Sequence, residues 1–203
     1  MASKYQLKSH NIYIEGTDTP RNKLHITNSE EIHELERELL SEAYTLFYEE
    51  LNKDTIFDES YFKALHKRTF EALYPWAGKY RDFNMAKGNS RFCQGAFVES
   101  ESKKIFKQIE KENYMRGLED ISKKEFAEKI AHYKCELIAL HPFYELNGRI
   151  TRLFFDMIAV YNGYKYIDYS TSTPKRYIEA SIECVQLANC SKLQTIIYNG
   201  LSQ

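Results

Sequence analysis

Apolar positions along most of this chain recur every three to four residues, so the elements they predict are helices. Ile32, Leu35, Leu39, Ala43, Leu46 and Phe47 follow Thr27, Asn28 and Ser29, which suit a cap, and Glu30 and Glu31, which suit the positive end of a helix. One long helix is expected there, reaching about Leu51. Phe62, Leu65, Thr69, Phe70 and Leu73 form a second stripe, opened by Asp58-Glu-Ser60 and stopped by Tyr74-Pro75. Ser100 to Arg116 is helical in period, and another helix starts near Ser122, carries Phe126, Ile130, Tyr133, Leu137 and Ile138, and ends at His141 ahead of Pro142. Ile150, Leu153, Phe154, Met157 and Tyr161 resume the period from near Asn147, and residues 174–203 read as a last helical region.

Two stretches depart from this rhythm. Residues 83–98, centred on Lys87-Gly88-Asn89-Ser90, read as a β-hairpin with a Gly/Asn turn. Residues 1–21 contain Gly16, Asp18 and Pro20 among short polar runs and read as an irregular lead-in. The expected fold class is all-α, one domain over 1–203 with a single hairpin.

Composition narrows the function. A formal net charge of −1 argues against surfaces built for nucleic acid or anionic membrane, and no apolar run approaches a signal peptide or a membrane span. Cys93, Cys135, Cys184 and Cys190 are scattered without a paired spacing, which suits a reducing cytoplasm; delivery to another cell is left open. A homo-oligomer is also left open.

The chemistry concentrates in residues 141–152, His-Pro-Phe-Tyr-Glu-Leu-Asn-Gly-Arg-Ile-Thr-Arg. A short loop joins two helices and delivers a histidine, a carboxylate and then a helix N-terminus carrying two arginines. Free backbone N–H groups and partial positive charge make such an N-terminus a phosphate site, with Asn147 and Gly148 allowing close approach. Arg149 and Arg152 can clamp phosphates, while Asp156 shares their face. Glu145 would be repelled by those phosphates unless a divalent cation lay between them, which implies Mg²⁺. An unperturbed histidine titrates near neutrality, so His141 is a residue that can take a proton from an attacking hydroxyl. No G-x-x-x-x-G-K-[ST] run offers a P-loop instead.

This segment resembles the Fic signature His-Pro-Phe-x-Asp/Glu-Gly-Asn-Gly-Arg-x-x-Arg at every specified position but Leu146. The resemblance runs through Asn22-Lys-Leu24, Tyr74-Pro-Trp-Ala-Gly78, Lys87-Gly88 with Ser90-Arg-Phe92, and Glu112-Asn-Tyr114 with Arg116-Gly-Leu118, and covers nearly the whole chain from Asn22. It implies a small Fic-like helical domain with the hairpin as a flap over the active site. It also implies a protein adenylyltransferase: AMP passes from Mg-ATP to a hydroxyl of a target protein and pyrophosphate leaves. On this resemblance His141 is the general base and Glu145 holds Mg²⁺. Leu146, Asn147, Gly148 and Arg149 surround the phosphates, Arg152 contacts the γ-phosphate, and Lys87 and Gly88 lie on the flap that registers the target as an added strand.

Leu146 stands where the family has Gly. A leucine is accommodated there if its φ is negative and its side chain packs away from the phosphates. Because of Leu146, a Doc-like kinase or transfer of another nucleotide or phosphodiester group is one alternative, and a non-catalytic nucleotide-binding module is another. Many Fic enzymes also carry an inhibitory Ser/Thr-x-x-x-Glu-Gly/Asn helix; the nearest match is Thr195-Ile-Ile-Tyr-Asn199-Gly200, with Asn where Glu is required. The simpler reading of that stretch is an apolar helix face of Leu193, Ile196, Ile197 and Leu201, leaving a separate antitoxin-like partner to supply the missing Glu.

Overall fold

A computed structural model describes the backbone of residues 6–7 and all of residues 12–203. Seven α-helices carry the fold among these residues: α1 (Ser29–Glu50), α2 (Glu59–Phe70), α3 (Val98–Lys111), α4 (Lys123–Leu140), α5 (Asn147–Tyr161), α6 (Pro174–Leu187) and α7 (Ser191–Gly200). Polar caps set their starts. Asn28 accepts the Glu30 and Glu31 N–H groups, Asp58 accepts that of Tyr61, and Ser122 with Glu125 forms a reciprocal capping box. Thr173 caps α6, whose first residue is Pro174.

Helix α5 buries Ile150, Leu153, Phe154, Phe155, Met157 and Ile158, too many sides for a surface helix, and it packs against α1, α2 and α4. Helix α4 contacts α3, α5, α6 and α7. The core between them is aromatic: Phe62 meets the rings of Phe106, Phe143 and Phe154. None of the described helices is long and apolar enough to cross a membrane.

The last helical region is two helices. Ala188 turns left-handed at φ +50 and ends α6, and α7 then packs on α4 and α6. Both helices bury residues in one core, so the apolar spacing runs across the break without marking it. The hairpin is shorter than residues 83–98: β2 (Met85–Lys87) and β3 (Ser90–Arg91) pair Ala86 with Arg91 and Lys87 with Ser90. Gly95–Phe97 is a 3₁₀ turn and Val98 already belongs to α3. A Cβ at Gly95 would lie 2.4 Å from backbone atoms of Asp82 and Phe83, so glycine lets the chain double back there. Helix α3 ends at Lys111 instead of Arg116, because Asn113, Tyr114 and Met115 all take positive φ. Within the lead-in, Gln6–Leu7 forms β1, which pairs antiparallel with β2, Gln6 opposite Ala86.

Candidate active site

The loop between α4 and α5 is bounded by two left-handed residues. His141 caps α4 at φ +46, where the following proline already disfavours right-handed helix, and Leu146 caps α5 at φ +66. A residue with a Cβ pays roughly 1–2 kcal/mol for that conformation, so surrounding contacts must hold the loop. Asn147 supplies two: its side chain accepts the Phe143 N–H at 2.7 Å and donates to the Phe143 carbonyl at 2.8 Å. His66 supplies another. Its Nδ1 accepts the Gly78 N–H at 3.0 Å, which leaves Nε2–H to donate to the Glu145 carbonyl at 3.1 Å. Complete burial lowers the His66 pKa to about 4, so this geometry belongs to the neutral ring. Phe143 is fully buried, its ring 4.0 Å from that of His66.

Arg81 ties the flap to this loop. Only 2 % exposed, its guanidinium donates to the carbonyls of Phe83, Cys93, Leu140 and His141, and its own N–H donates to Pro142. Two of those carbonyls end α4, where a cation is favoured. Above the loop, Phe92 stacks on the His141 ring.

The residues singled out by sequence meet in one cavity of about 520 Å³, a size that suits a nucleotide. His141, Glu145, Leu146, Asn147, Gly148, Arg149 and Arg152 line it, with Lys87 and Gly88 from the flap. Nothing lies within 4 Å of where a Gly148 Cβ would be, so the first turn of α5 is open to an approaching anion. Asn147 is 3 % exposed and its side chain is engaged with Phe143, so any phosphate contact falls to its backbone.

Leu146 does not take the conformation expected to accommodate a leucine. Its φ is positive rather than negative, and its side chain, 7 % exposed, packs with the core, which offsets the backbone strain. The loop therefore keeps the backbone form that glycine adopts freely, and the Leu146 N–H donates to Glu145 Oε2 at 3.1 Å. The other Glu145 oxygen accepts the Tyr13 hydroxyl at 2.5 Å.

The arginines are preset differently. Arg149 pairs with Glu36 of α1, Nη1 to Oε2 at 2.9 Å, and the second Glu36 oxygen accepts the Tyr74 hydroxyl at 2.6 Å. The Arg152 guanidinium lies 4.6 Å from the Tyr177 ring centroid and 5.4 Å from that of Tyr169, and its buried Nε has no hydrogen-bond partner among the described residues. Behind it Asp156 is buried and not on a solvated face. It accepts the Tyr44 hydroxyl at 2.6 Å, and burial raises its pKa to about 6. Lys134, completely buried, donates to Tyr169 Oη at 2.6 Å, and burial holds it down to about 7.

Thr195, Asn199 and Gly200 do not join this cavity. Thr195 and Asn199 are exposed on α7, while a Cβ at Gly200 would fall 2.5 Å from the Asp168 carbonyl oxygen, so that glycine serves packing. Sequence reasoning missed Tyr13, Glu36, His66, Arg81 and Tyr177. His66 and Glu36 lie on helices whose apolar stripe explains their neighbours and gave no separate signal.

Among the described residues, no group of three or more His, Cys, Asp or Glu is placed to hold a metal ion alone. One buried carboxylate beside a phosphate-sized helix N-terminus fits a cation shared with the nucleotide, the usual arrangement for Mg²⁺.

Residues 56–159 match the Fic/DOC family. A probable protein adenylyltransferase, y4lH, of Sinorhizobium fredii is 32% identical over 167 residues, 82% of this chain and 83% of that protein. The probable protein adenylyltransferase Fic of Escherichia coli is 30% identical over 151 residues, 74% of this chain and 72% of that protein. The crystal structure of the BepC effector of Bartonella tribocorum with bound AMPPNP superposes with a TM-score of 0.80 at 25% identity, covering 95% of this chain and 96% of that one.

Proposed function

The chain belongs to the Fic/DOC family, and from that premise we propose that it is a protein adenylyltransferase, moving AMP from ATP to a hydroxyl of another protein. The observation that carries the reading is the convergence of His141, Glu145, the α5 N-terminus, Arg149 and Arg152 on one nucleotide-sized cavity. In this reading the target hydroxyl attacks the α-phosphorus, His141 accepts its proton, and the P–O bond to pyrophosphate breaks. The N–H groups opening α5 and Arg149 balance charge on the phosphates, with Arg152 reaching the outermost one. Glu145 is the residue to hold Mg²⁺, which when bound neutralises phosphate charge and orients the leaving group. The flap edge at Lys87 and Gly88 registers the target segment.

The left-handed Leu146 supports AMP over a diverted donor group, because it holds the loop in a backbone form that glycine adopts freely. Activity inside the cell that makes the protein, and restraint by a partner that brings a Glu to Arg152, complete the reading. Incubation of the protein with lysate and ATP labelled at either the α- or the γ-phosphate tests it. Label should enter protein from the α-position alone and vanish with His141→Ala. Transfer from the γ-position alone would overturn it in favour of a kinase.

A further inference from the structure

Residues 12–20 form a built turn and not a trailing end. The Ile14 carbonyl accepts the Thr17 N–H at 3.0 Å, the Ile14 N–H donates to Thr19 at 2.9 Å, and Gly16 takes φ +75 in the bend. Tyr13 bridges Pro20, and the Thr19 hydroxyl donates to the Thr27 carbonyl. This arm closes one side of the cavity, which Asp18 and Pro20 line.

Tyr13, only 4 % exposed, packs with Ile12, Phe83 and Met85, and its hydroxyl donates to Glu145 Oε1. A hydroxyl that donates to a carboxylate can make a charge-assisted hydrogen bond, stronger than a neutral one. With the Leu146 N–H on Oε2, Glu145 is restrained at both oxygens by donors from two separate segments. Outer hydrogen bonds of this kind fix the plane of a metal-binding carboxylate. Mg²⁺ demands near-ideal geometry, so a carboxylate set in advance has less to reorganise when the cation arrives.

We propose that Tyr13 is a positioning residue for Glu145, setting its carboxylate to receive the divalent cation that enters with the nucleotide, which makes the N-terminal arm part of the active site. The proposal rests on the reading of Glu145 as the cation-binding residue.

Calorimetric titration of the full chain with AMPPNP, in EDTA and at rising Mg²⁺, tests both claims separately. In EDTA, Tyr13→Phe should bind the analogue as the unaltered protein does, since the ring and its packing remain. It should need about tenfold more Mg²⁺ for half-maximal enhancement of binding. Glu145→Gln should lose the enhancement. If Tyr13→Phe follows the unaltered Mg²⁺ curve while Glu145→Gln loses it, the Tyr13 proposal falls and the assignment of Glu145 stands. Equal weakening of Tyr13→Phe in EDTA and in Mg²⁺ makes the hydroxyl merely structural and also overturns the proposal. Enhancement retained by Glu145→Gln removes the cation assignment itself, and Tyr13 with it.

Discussion

Phe92 lies flat against His141, ring centroids 3.8 Å apart and planes 13° from parallel. The stack fastens the residue after β3 to the residue that ends α4, so the flap and the proposed base are held as one unit. It also covers a face of the imidazole. An aromatic pair of this kind contributes about 1 kcal/mol beyond burial, which corresponds to roughly a fivefold to tenfold effect on rate. Phe92→Leu should therefore lower kcat for protein labelling by about that factor and leave the KM for ATP unchanged, with Phe92→Tyr close to the unaltered enzyme. Steady-state kinetics on the three proteins decide it; a KM that rises in step would mean that Phe92 serves nucleotide binding.

His66 predicts a pH dependence. Its folded pKa is lowered to about 4 from an unfolded value near 6.5, so between those values the unfolded chain binds the extra proton and stability rises with pH. The contribution of about 3 kcal/mol is complete above about pH 6.5 and is lost as the pH falls toward 4. Asp156, raised to about 6, works in the opposite sense from pH 4 to 6, so the comparison must be made against a variant and not on one curve. In urea melts at pH 5 and pH 7, His66→Gln should be weaker than the unaltered protein at pH 7, with the gap shrinking at pH 5. A gap that stays constant would show that His66 does not titrate on unfolding.

The helices and the motif loop were legible because they depend on local signals: apolar period, caps, and a dense run of reactive side chains from His141 to Arg152. What stayed hidden depends on contacts between distant segments. Tyr13 meets Glu145 across 132 residues and Glu36 meets Arg149 across 113, and neither partner marks the other in the sequence. The break at Ala188 was hidden because α6 and α7 bury residues in a common core. The left-handed turn at Leu146 was hidden because a positive φ at a leucine has no sequence signature; only its burial shows what holds it there.

Glu36 is 2 % exposed and holds Arg149 through one oxygen and the Tyr74 hydroxyl through the other. Removing one partner of such a pair leaves a buried hydroxyl and a mostly buried guanidinium without their acceptor, at a cost of about 3 kcal/mol. Glu36→Ala should thus lower the melting temperature and weaken AMPPNP binding, because Arg149 loses its fixed direction. Glu36→Gln, which keeps one acceptor for Arg149 and turns an amide donor to the Tyr74 hydroxyl, should recover part of the stability and less of the binding. Equal binding by all three proteins in calorimetry would remove Glu36 from the site.

Arg81 offers a test of how the flap is attached. Its planar fork reaches four carbonyls at once, a geometry that a lysine ammonium on a narrower stem does not reproduce. Arg81→Lys should cost about 3 kcal/mol or more, since hydrogen bonds to a charged donor contribute roughly 1.5–3 kcal/mol each. Amide exchange should rise first in residues 83–93 and at the end of α4. Faster exchange confined to regions remote from both would contradict the assigned role.

Leu146 sets two opposing terms against each other. Leu146→Gly would relieve about 1–2 kcal/mol of left-handed strain. It would also remove a buried side chain, worth about 2–5 kcal/mol, and free the unfolded chain by roughly 0.5–1 kcal/mol. Burial outweighs strain, so the variant should unfold at lower urea, by about 0.5–5 kcal/mol on these terms. The transferred group should nevertheless stay the same, because a backbone form open to glycine is already present. Label from α-labelled ATP should enter protein with both enzymes. A switch from γ- to α-label on making the glycine would show instead that the leucine side chain selects the group, and would refute the argument from backbone form.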